Sequence, residues 1–281
     1  MKVKSYGKIN LALDVINKRE DGYHNIKTIM QKISLYDEME FKKGSGGIVI
    51  DSNLTLKLEE NLIYKSWAAL CQYVGEELPL EVRLKKNLPL ASGLAGGTGN
   101  GALTLKALNE LYNLKLSLGE LQSMSLKLGA DFPYMLQGGT VLAEGIGEKL
   151  KTLKSFNEIE VLIVNPGYEI STKEVYENLD LSSRRINFKK IIDLMEENSP
   201  LKLRGVLENK MEDYVFKRHL DIKEIKTELE SMGAASLMSG TGATVFGLFE
   251  DSKTIRKAFN KFKGKYPYTF MAHTLGGEDD I

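Results

Sequence analysis

Residues 88–102 read LPLASGLAGGTGNGA, and five glycines with three other small residues occupy the ten positions from Gly93 to Ala102. Only glycine lets a backbone turn that tightly and approach a ligand that closely. N–H groups converging at a helix start, backed by the positive end of the helix dipole, suit an anion, most naturally a phosphate. Nucleotide binding is therefore the first expectation for this chain. A glycine-rich surface turn that holds nothing is the alternative, and so many glycines at one junction argue against it.

Two elements must position this loop. Leu80, Val82 and Leu84 alternate with Glu81, Arg83 and Lys85, the period of a half-buried strand. Beyond the loop, Leu103, Leu105, Ala107, Leu108, Leu111 and Tyr112 make a helical stripe, with Asn100 or Thr98 near its start as a cap. No Lys-Ser or Lys-Thr follows the glycines, which excludes a Walker A loop. Gly97 to Ala102 matches the dinucleotide pattern G-x-G-x-x-A. However, residues 116–129 read as a further helix rather than a parallel strand, and no strand-end acid follows at the required distance. A Rossmann unit therefore lacks its supporting context.

Residues 89–98, PLASGLAGGT, resemble the second motif of the GHMP kinases, which transfer the γ-phosphate of ATP to a small-molecule hydroxyl or phosphate. GKINLAL at 7–13 is similar to the first motif of that family and MSGTGAT at 238–244 to the third. Three motifs in order across almost the whole chain are far more specific than any one of them. Further segments resemble the members that phosphorylate the tertiary 2-hydroxyl of a cytidine-diphosphate-linked methylerythritol, on the methylerythritol phosphate route to isoprenoid precursors. These are DGYH at 21–24, ENLI at 60–63, LGADFPY at 128–134, NPG at 165–167, STKEVY at 171–176 and NKME at 209–212.

The resemblance implies roles residue by residue. Phosphoryl transfer requires the phosphates to be held, their charge neutralised, the hydroxyl placed in line and its proton accepted. Asp131 would accept the proton, in the locally apolar run GADFPY, with Pro133 ending the element. On local sequence alone, a turn aspartate satisfied by backbone N–H groups fits equally well. Lys8 would lie beside Asp131 and stabilise the developing charge, although a lysine between two strand-like runs is ordinarily a solvated surface group. ATP would be held by Asn61 on the adenine side and by the loop residues Leu90, Ala91, Ser92, Gly93, Leu94, Ala95, Gly96, Gly97, Thr98, Gly99 and Asn100. Asn10, on the strand face of Lys8, would orient the substrate, and Gly240 and Thr241 would contact it. Tyr23 and Tyr176 would sandwich a pyrimidine whose edge His24 bonds, with Thr172 beside them. Met30 stands where the family often carries an aromatic residue. No carboxylate cage for a metal is visible, so Mg²⁺ is expected with ATP, bound largely by phosphates and water. His219 and His273 have no motif around them.

The chain departs from the family where Gly99 replaces a second hydroxyl residue and Gly101 an alanine. The first change would remove a contact near the β-phosphate or its metal, about 1 kcal/mol. The second would weaken the first helical turn by up to about 1 kcal/mol.

Composition excludes several classes. The 281 residues carry 38 Lys and Arg against 38 Asp and Glu, so no basic field points to nucleic acid or an anionic membrane. The lone Cys71 excludes an internal disulfide and fits a reducing cytoplasm. Asn10 and Asp14 break the apolar run of the amino terminus, which reads as strand rather than signal peptide, and no stretch reaches the length of a membrane helix. The expected partner is a small-molecule substrate, with no nucleic acid and no membrane, for a cytoplasmic monomer or weak homodimer.

Strand-like runs appear at 3–6, 9–16, 27–33, 39–42 and 48–51, with a helix near 61–73. After the loop and its helix come strands at 140–144 and 149–153. A polar boundary at 154–160 follows, then a strand at 161–165, helices, and strands near 234–238, 244–249 and 270–275. These mixed runs argue for an α+β fold with a cleft between two halves, 1–154 and 155–281. The resemblance implies the same: a ribosomal-protein-S5-like amino-terminal domain and a smaller carboxy-terminal one. Two other functions stay open, a GHMP kinase for another small alcohol and a non-catalytic nucleotide-binding regulator. Having both Lys8 and Asp131 speaks against the regulator.

Overall fold

The computed structural model describes residues 1–54 and 56–277. Its first half begins with two long strands, β1 (Lys2–Lys18) and β2 (His24–Lys43), paired antiparallel. Register shifts between Tyr6 and Lys8, Asn10 and Ala12, and Val15 and Asn17 bend the ladder without ending it. Each irregularity interrupts the period-2 pattern, so four predicted strands are here two. Then follow β3 (Ile48–Ser52), α1 (Leu62–Val74), β4 (Leu80–Lys85), α2 (Gly96–Leu111), α3 (Leu118–Ser125), α4 (Phe132–Gln137), β5 (Thr140–Gly145) and β6 (Lys149–Thr152). The sheet runs β3-β4-β2-β5-β6, with β1 on the other edge of β2.

The second half contains β7 (Glu160–Asn165), α5 (Thr172–Glu177), α6 (Phe188–Met195), α7 (Glu212–Arg218), α8 (Leu220–Ser231), β8 (Ala235–Met238), β9 (Val245–Phe249), α9 (Ser252–Phe262) and β10 (Tyr268–His273). Its sheet is antiparallel in the order β10-β7-β9-β8.

Apolar side chains set these layers. Phe41, Val82 and Leu84 on one sheet face meet Ile63 and Leu70 of α1 and Leu105 and Leu108 of α2. On the solvent face of the same sheet the registers Lys2↔Glu40↔Arg83↔Asp51 and Lys4↔Glu38↔Lys85 alternate in sign across neighbouring strands. These residues line a shallow concavity of ≈ 930 Å³. Its charges answer one another across the strands, which marks a solvated sheet face. Another apolar cluster crosses between the halves, joining Ile9, Leu11 and Ile29 to Phe156, Val161 and Phe246. The end of the chain returns to β2, where Ile33 bridges Thr274 and the Leu275 amide donates to the Lys32 carbonyl at 3.0 Å. Among the described residues no helix is long and apolar enough to cross a membrane.

Candidate active site

Between the two sheets lies a cleft of ≈ 800 Å³, lined by residues from β1, β2, the glycine loop, the approach to α4, α5 and the turn after β8. At its inner end the Lys8 ammonium donates to Asn10 Oδ1 at 2.7 Å and lies 3.5 Å from Asp131 Oδ2. The Asn10 carboxamide donates onward to Thr28 Oγ1 at 2.9 Å, and that hydroxyl donates to the Ala12 carbonyl at 2.7 Å. The Lys8 side chain is 4 % exposed and that of Asp131 32 %. A substrate can therefore reach the carboxylate while the ammonium stays behind it. Burying a lysine without partners would be costly, and Asn10 with Asp131 supplies them.

Asp131 immediately precedes α4 and makes no side-chain capping bond, which leaves its carboxylate to the cleft. Pro133 stands in the first turn of α4, so it begins that element rather than ending the one before it. Its missing N–H is one of those the first turn of a helix leaves without an intrahelical partner.

The glycine loop turns before α2 rather than within its first turns. Ala95, at φ 55°, is the residue before the helix and Gly96 its first, and neither Thr98 nor Asn100 caps it. Ala91 is also left-handed, at φ 42°, and such strain in non-glycine residues gathers at ligand sites. The amides of Gly96, Gly97 and Thr98 lie in the first turn and have no helical acceptor, whereas the Gly99 amide donates to the Ala95 carbonyl at 2.8 Å. Leu90, Ala91, Ser92, Gly93 and Ala95–Thr98 line the cleft.

Leu94, Gly99, Asn100 and Asn61 do not line it. Leu94 is buried in the core shared by the two halves, and its carbonyl accepts the Lys8 amide at 3.0 Å. Residue 99 faces inward, since a Cβ there would stand 2.9 Å from both Ser5 Oγ and Met135 Cε. A side chain at 99 would therefore point away from the cleft. Asn100 is buried within α2. Gly101 also has a reason: a Cβ would come within 2.8 Å of the Phe132 ring and of Ser66 Oγ. Asn61 caps α1, its Oδ1 accepting the Ile63 amide at 2.9 Å, and its neighbour Leu62 lines the cleft instead.

Gly93 has the tightest backbone requirement. Its φ is 80°, and a Cβ would fall 2.2 Å from the Ser239 carbonyl oxygen. Ser239 Oγ donates to the Gly93 carbonyl at 2.9 Å and accepts the Asn10 amide at 3.3 Å. All three motif segments therefore meet at Ser239. Ser239 is a functional position absent from the residues expected of this motif, Gly240 and Thr241, and its place beside them is the signal that points to it.

At the cleft mouth the His24 ring stacks on Tyr176, with centroids 4.9 Å apart and planes at 29°. Tyr23 is 59 % exposed at the rim, and one face of Tyr176 is covered by His24. Burial, helped by the nearby Lys18 charge, lowers the His24 pKa below its ordinary 6.5. Burial, then the neighbouring Asp131 charge, raises that of Tyr176. The Thr172 and Thr241 hydroxyls lie 3.2 Å apart, and Asn10, Met30, Gly240 and Thr241 line the same cleft. The lining from Ile146, Ile170 and Met211 carries no chemical signature in the sequence. Tyr168 stacks on His219, away from the cleft lining.

Residues 61–140 match the model of the GHMP kinases N terminal domain, and residues 176–267 that of the GHMP kinases C terminal region. A 4-diphosphocytidyl-2-C-methyl-D-erythritol kinase of Clostridium perfringens (strain ATCC 13124) is 39 % identical over 292 aligned positions, covering 99 % of this chain and 100 % of that protein. One of Thermoanaerobacter pseudethanolicus is 42 % identical over 283 positions, covering 98 % and 96 %. A crystal structure of 4-(cytidine 5'-diphospho)-2C-methyl-D-erythritol kinase superposes with a TM-score of 0.86 at 27 % identity, over 99 % of this chain and 100 % of that one. Homoserine kinase from Cytophaga hutchinsonii, at 18 % identity and a TM-score of 0.77 over 99 % and 95 % of the two chains, shares the fold.

Proposed function

The chain belongs to the GHMP kinases, and from that membership we propose that it transfers the γ-phosphoryl group of ATP to the 2-hydroxyl of 4-diphosphocytidyl-2-C-methyl-D-erythritol. The fold is the two-domain α+β fold of that family, and the chain is an ATP-dependent small-molecule kinase of isoprenoid precursor biosynthesis. In this reading residues 1–154 form the ATP-binding half and residues 155–281 complete the cleft.

One observation carries the assignment of roles. A single cleft joins the Lys8–Asp131 pair to the His24–Tyr176 stack, with the glycine loop along one wall. The first-turn amides of α2 take the phosphates, and Leu62, Pro89 and Leu90 give the adenine an apolar seat. Tyr176 takes the cytosine ring after His24 swings off it to bond the base edge, with Tyr23 closing the outer face. The acceptor hydroxyl then approaches Asp131, which receives its proton while the oxygen forms the bond to the γ-phosphorus and ADP departs. Lys8 balances the charge that gathers between carboxylate and phosphoryl oxygens.

Mg²⁺ is part of the proposal. Among the described residues no group of three His, Cys, Asp or Glu side chains could hold a metal. The cleft offers Asp131 and the Thr98 hydroxyl. These residues fit a cation held mainly by phosphate oxygens and water, which neutralises phosphate charge when bound. A monomer or weak homodimer in the cytoplasm is the state we assign.

The test is ADP release from Mg-ATP with this substrate, with the product identified by mass. Substrate-dependent ADP and a singly phosphorylated product are expected. Folded protein that binds ATP without turnover would redirect the reading to another small alcohol.

A further inference from the structure

The segment Glu208–Glu212 contains the NKME string and reaches the cleft through Met211. Its contacts nonetheless converge behind it. The buried Asn209 carboxamide donates to two carbonyls of one turn, those of Met238 at 2.7 Å and Gly240 at 2.8 Å. Its Oδ1 accepts the Met211 amide at 2.9 Å, which fixes the orientation of the side chain. On the other side the same segment is pinned to β1, where the Leu13 amide donates to the Glu208 carbonyl at 3.0 Å and the Lys210 amide to the Leu13 carbonyl at 2.9 Å. Glu212 adds a clamp at the base of the turn, its Oε1 accepting the Met238 amide at 2.9 Å.

The turn so held begins at Ser239, where β1 and the glycine loop meet through Asn10 and Gly93, and continues to Thr241, which faces Thr172. The turn is closed internally by the Gly242 amide on the Ser239 carbonyl at 3.0 Å and the Ser239 amide on the Thr244 carbonyl at 2.9 Å, while Gly240 and Gly242, left-handed at φ 58° and 89°, leave it deformable between those bonds. Asn209 adds an outside grip at two of its carbonyls.

We propose that Asn209 is a positioning residue for phosphoryl transfer, holding the turn at residues 238–242 so that Ser239 and Thr241 stand in register with Asn10, Gly93 and the acceptor alcohol. The inference rests on the kinase reading above. Only an amide, with two N–H donors and one acceptor, satisfies all three partners at once. The glycine loop touches this turn through the Ser239 hydroxyl on the Gly93 carbonyl and the Thr244 amide on the Ser92 carbonyl at 3.3 Å, but it is also held independently by the Lys8 amide on the Leu94 carbonyl and the Ser92 hydroxyl on the Pro89 carbonyl at 3.0 Å. Loss of Asn209 should therefore fall on the acceptor and on turnover rather than on nucleotide affinity.

The experiment compares wild type with Asn209→Asp and Asn209→Ala, each assayed per folded molecule. Steady-state kinetics with both substrates is combined with ATP titration by calorimetry and hydrogen exchange over residues 236–244. Asn209→Asp keeps the shape but turns an oxygen toward two carbonyls, and misplacement by about 1 Å costs about 100-fold. A loss of tenfold or more in kcat/KM for the acceptor is expected, with ATP affinity within about threefold and faster exchange in the turn. Protonation of the new carboxyl restores one donor, so the deficit of Asn209→Asp against wild type should shrink as pH falls, while that of Asn209→Ala stays constant. Variants with wild-type acceptor kinetics, an unchanged exchange rate in the turn, or equal losses for ATP and acceptor would overturn the assignment. Wild type without turnover would overturn the kinase reading and this inference with it, whereas active wild type beside unimpaired variants would overturn the inference alone.

Discussion

Gly101→Ala separates two opposite physical expectations. In a helix interior alanine is favoured over glycine by about 0.5–1 kcal/mol, so propensity alone predicts a more stable protein. The structure predicts the reverse. A Cβ at 101 would stand 2.8 Å from Phe132 Cζ, 2.9 Å from Phe132 Cε1 and 2.8 Å from Ser66 Oγ. Phe132 is fully buried and cannot retreat toward solvent. Overpacking of this kind costs about 1–3 kcal/mol. Subtracting the propensity gain leaves about 0–2.5 kcal/mol of destabilisation, a fall in Tm of up to about 8 °C for a chain of this size. Phe132 directly follows Asp131, so relieving the clash also moves the carboxylate, and kcat should fall by about tenfold or more while ATP affinity holds. Calorimetry and steady-state kinetics read both effects. Gly119→Ala is the control, because it lies in the first turn of α3 with nothing within 4 Å of its added Cβ, and it should change stability by no more than about 0.5 kcal/mol with activity unchanged. Adding Phe132→Leu to Gly101→Ala should return part of the lost stability. A Gly101→Ala protein more stable than wild type and fully active would refute the packing argument and restore the propensity one.

Three further outcomes follow from the site. Asp131→Asn should lower kcat by about 100- to 10,000-fold with ATP and acceptor dissociation constants nearly unchanged, and turnover near wild type would remove Asp131 from the mechanism. Tyr176→Ala should raise the acceptor KM by about 5- to 100-fold, the equivalent of about 1–3 kcal/mol of base stacking, with little change in the KM for ATP. The His24 pKa is depressed by burial and by Lys18, so the unfolded chain takes up that proton first, and this residue's contribution to stability is lost as pH falls through 6.5. The acceptor KM should stay flat above that pH and rise once the folded imidazole protonates, and His24→Gln should abolish the rise.

Much of the chemistry was legible because it sits in motifs whose residue types have few other uses. Lys8 and Asp131, 123 positions apart, meet in the structure, whereas Tyr176, expected to face Tyr23 across a base, stacks on His24 and leaves Tyr23 exposed at the rim. The sequence could not show direction. Gly99 read as a missing phosphate contact because the cap was expected at Thr98 or Asn100, whereas α2 begins at Gly96 and turns residue 99 toward Ser5. Asn61 read as an adenine contact, and its carboxamide is instead used locally as a cap. The strands at 3–6 and 9–16 read as two because alternation fails at a bulge, although the ladder continues through it. Asn209 was visible as part of a motif, but its role depends on partners 29 and 31 residues away and on a backbone bridge to β1.

The apolar cluster shared by the two halves sets a schedule for the chain at birth. Ile9, Leu11 and Ile29 emerge early from the ribosome, yet their packing partners include Val161, Phe246 and Ala272, and the bridge from Ile33 waits for Thr274. At about 5–20 residues per second, the first strands spend tens of seconds without the surface that covers them. The amino-terminal half therefore cannot complete its burial as an autonomous unit during synthesis. Its hydrophobic strands must be sheltered until residues 272–274 arrive, and truncation near residue 270 would harm β1 and β2 as much as the strands of the second half.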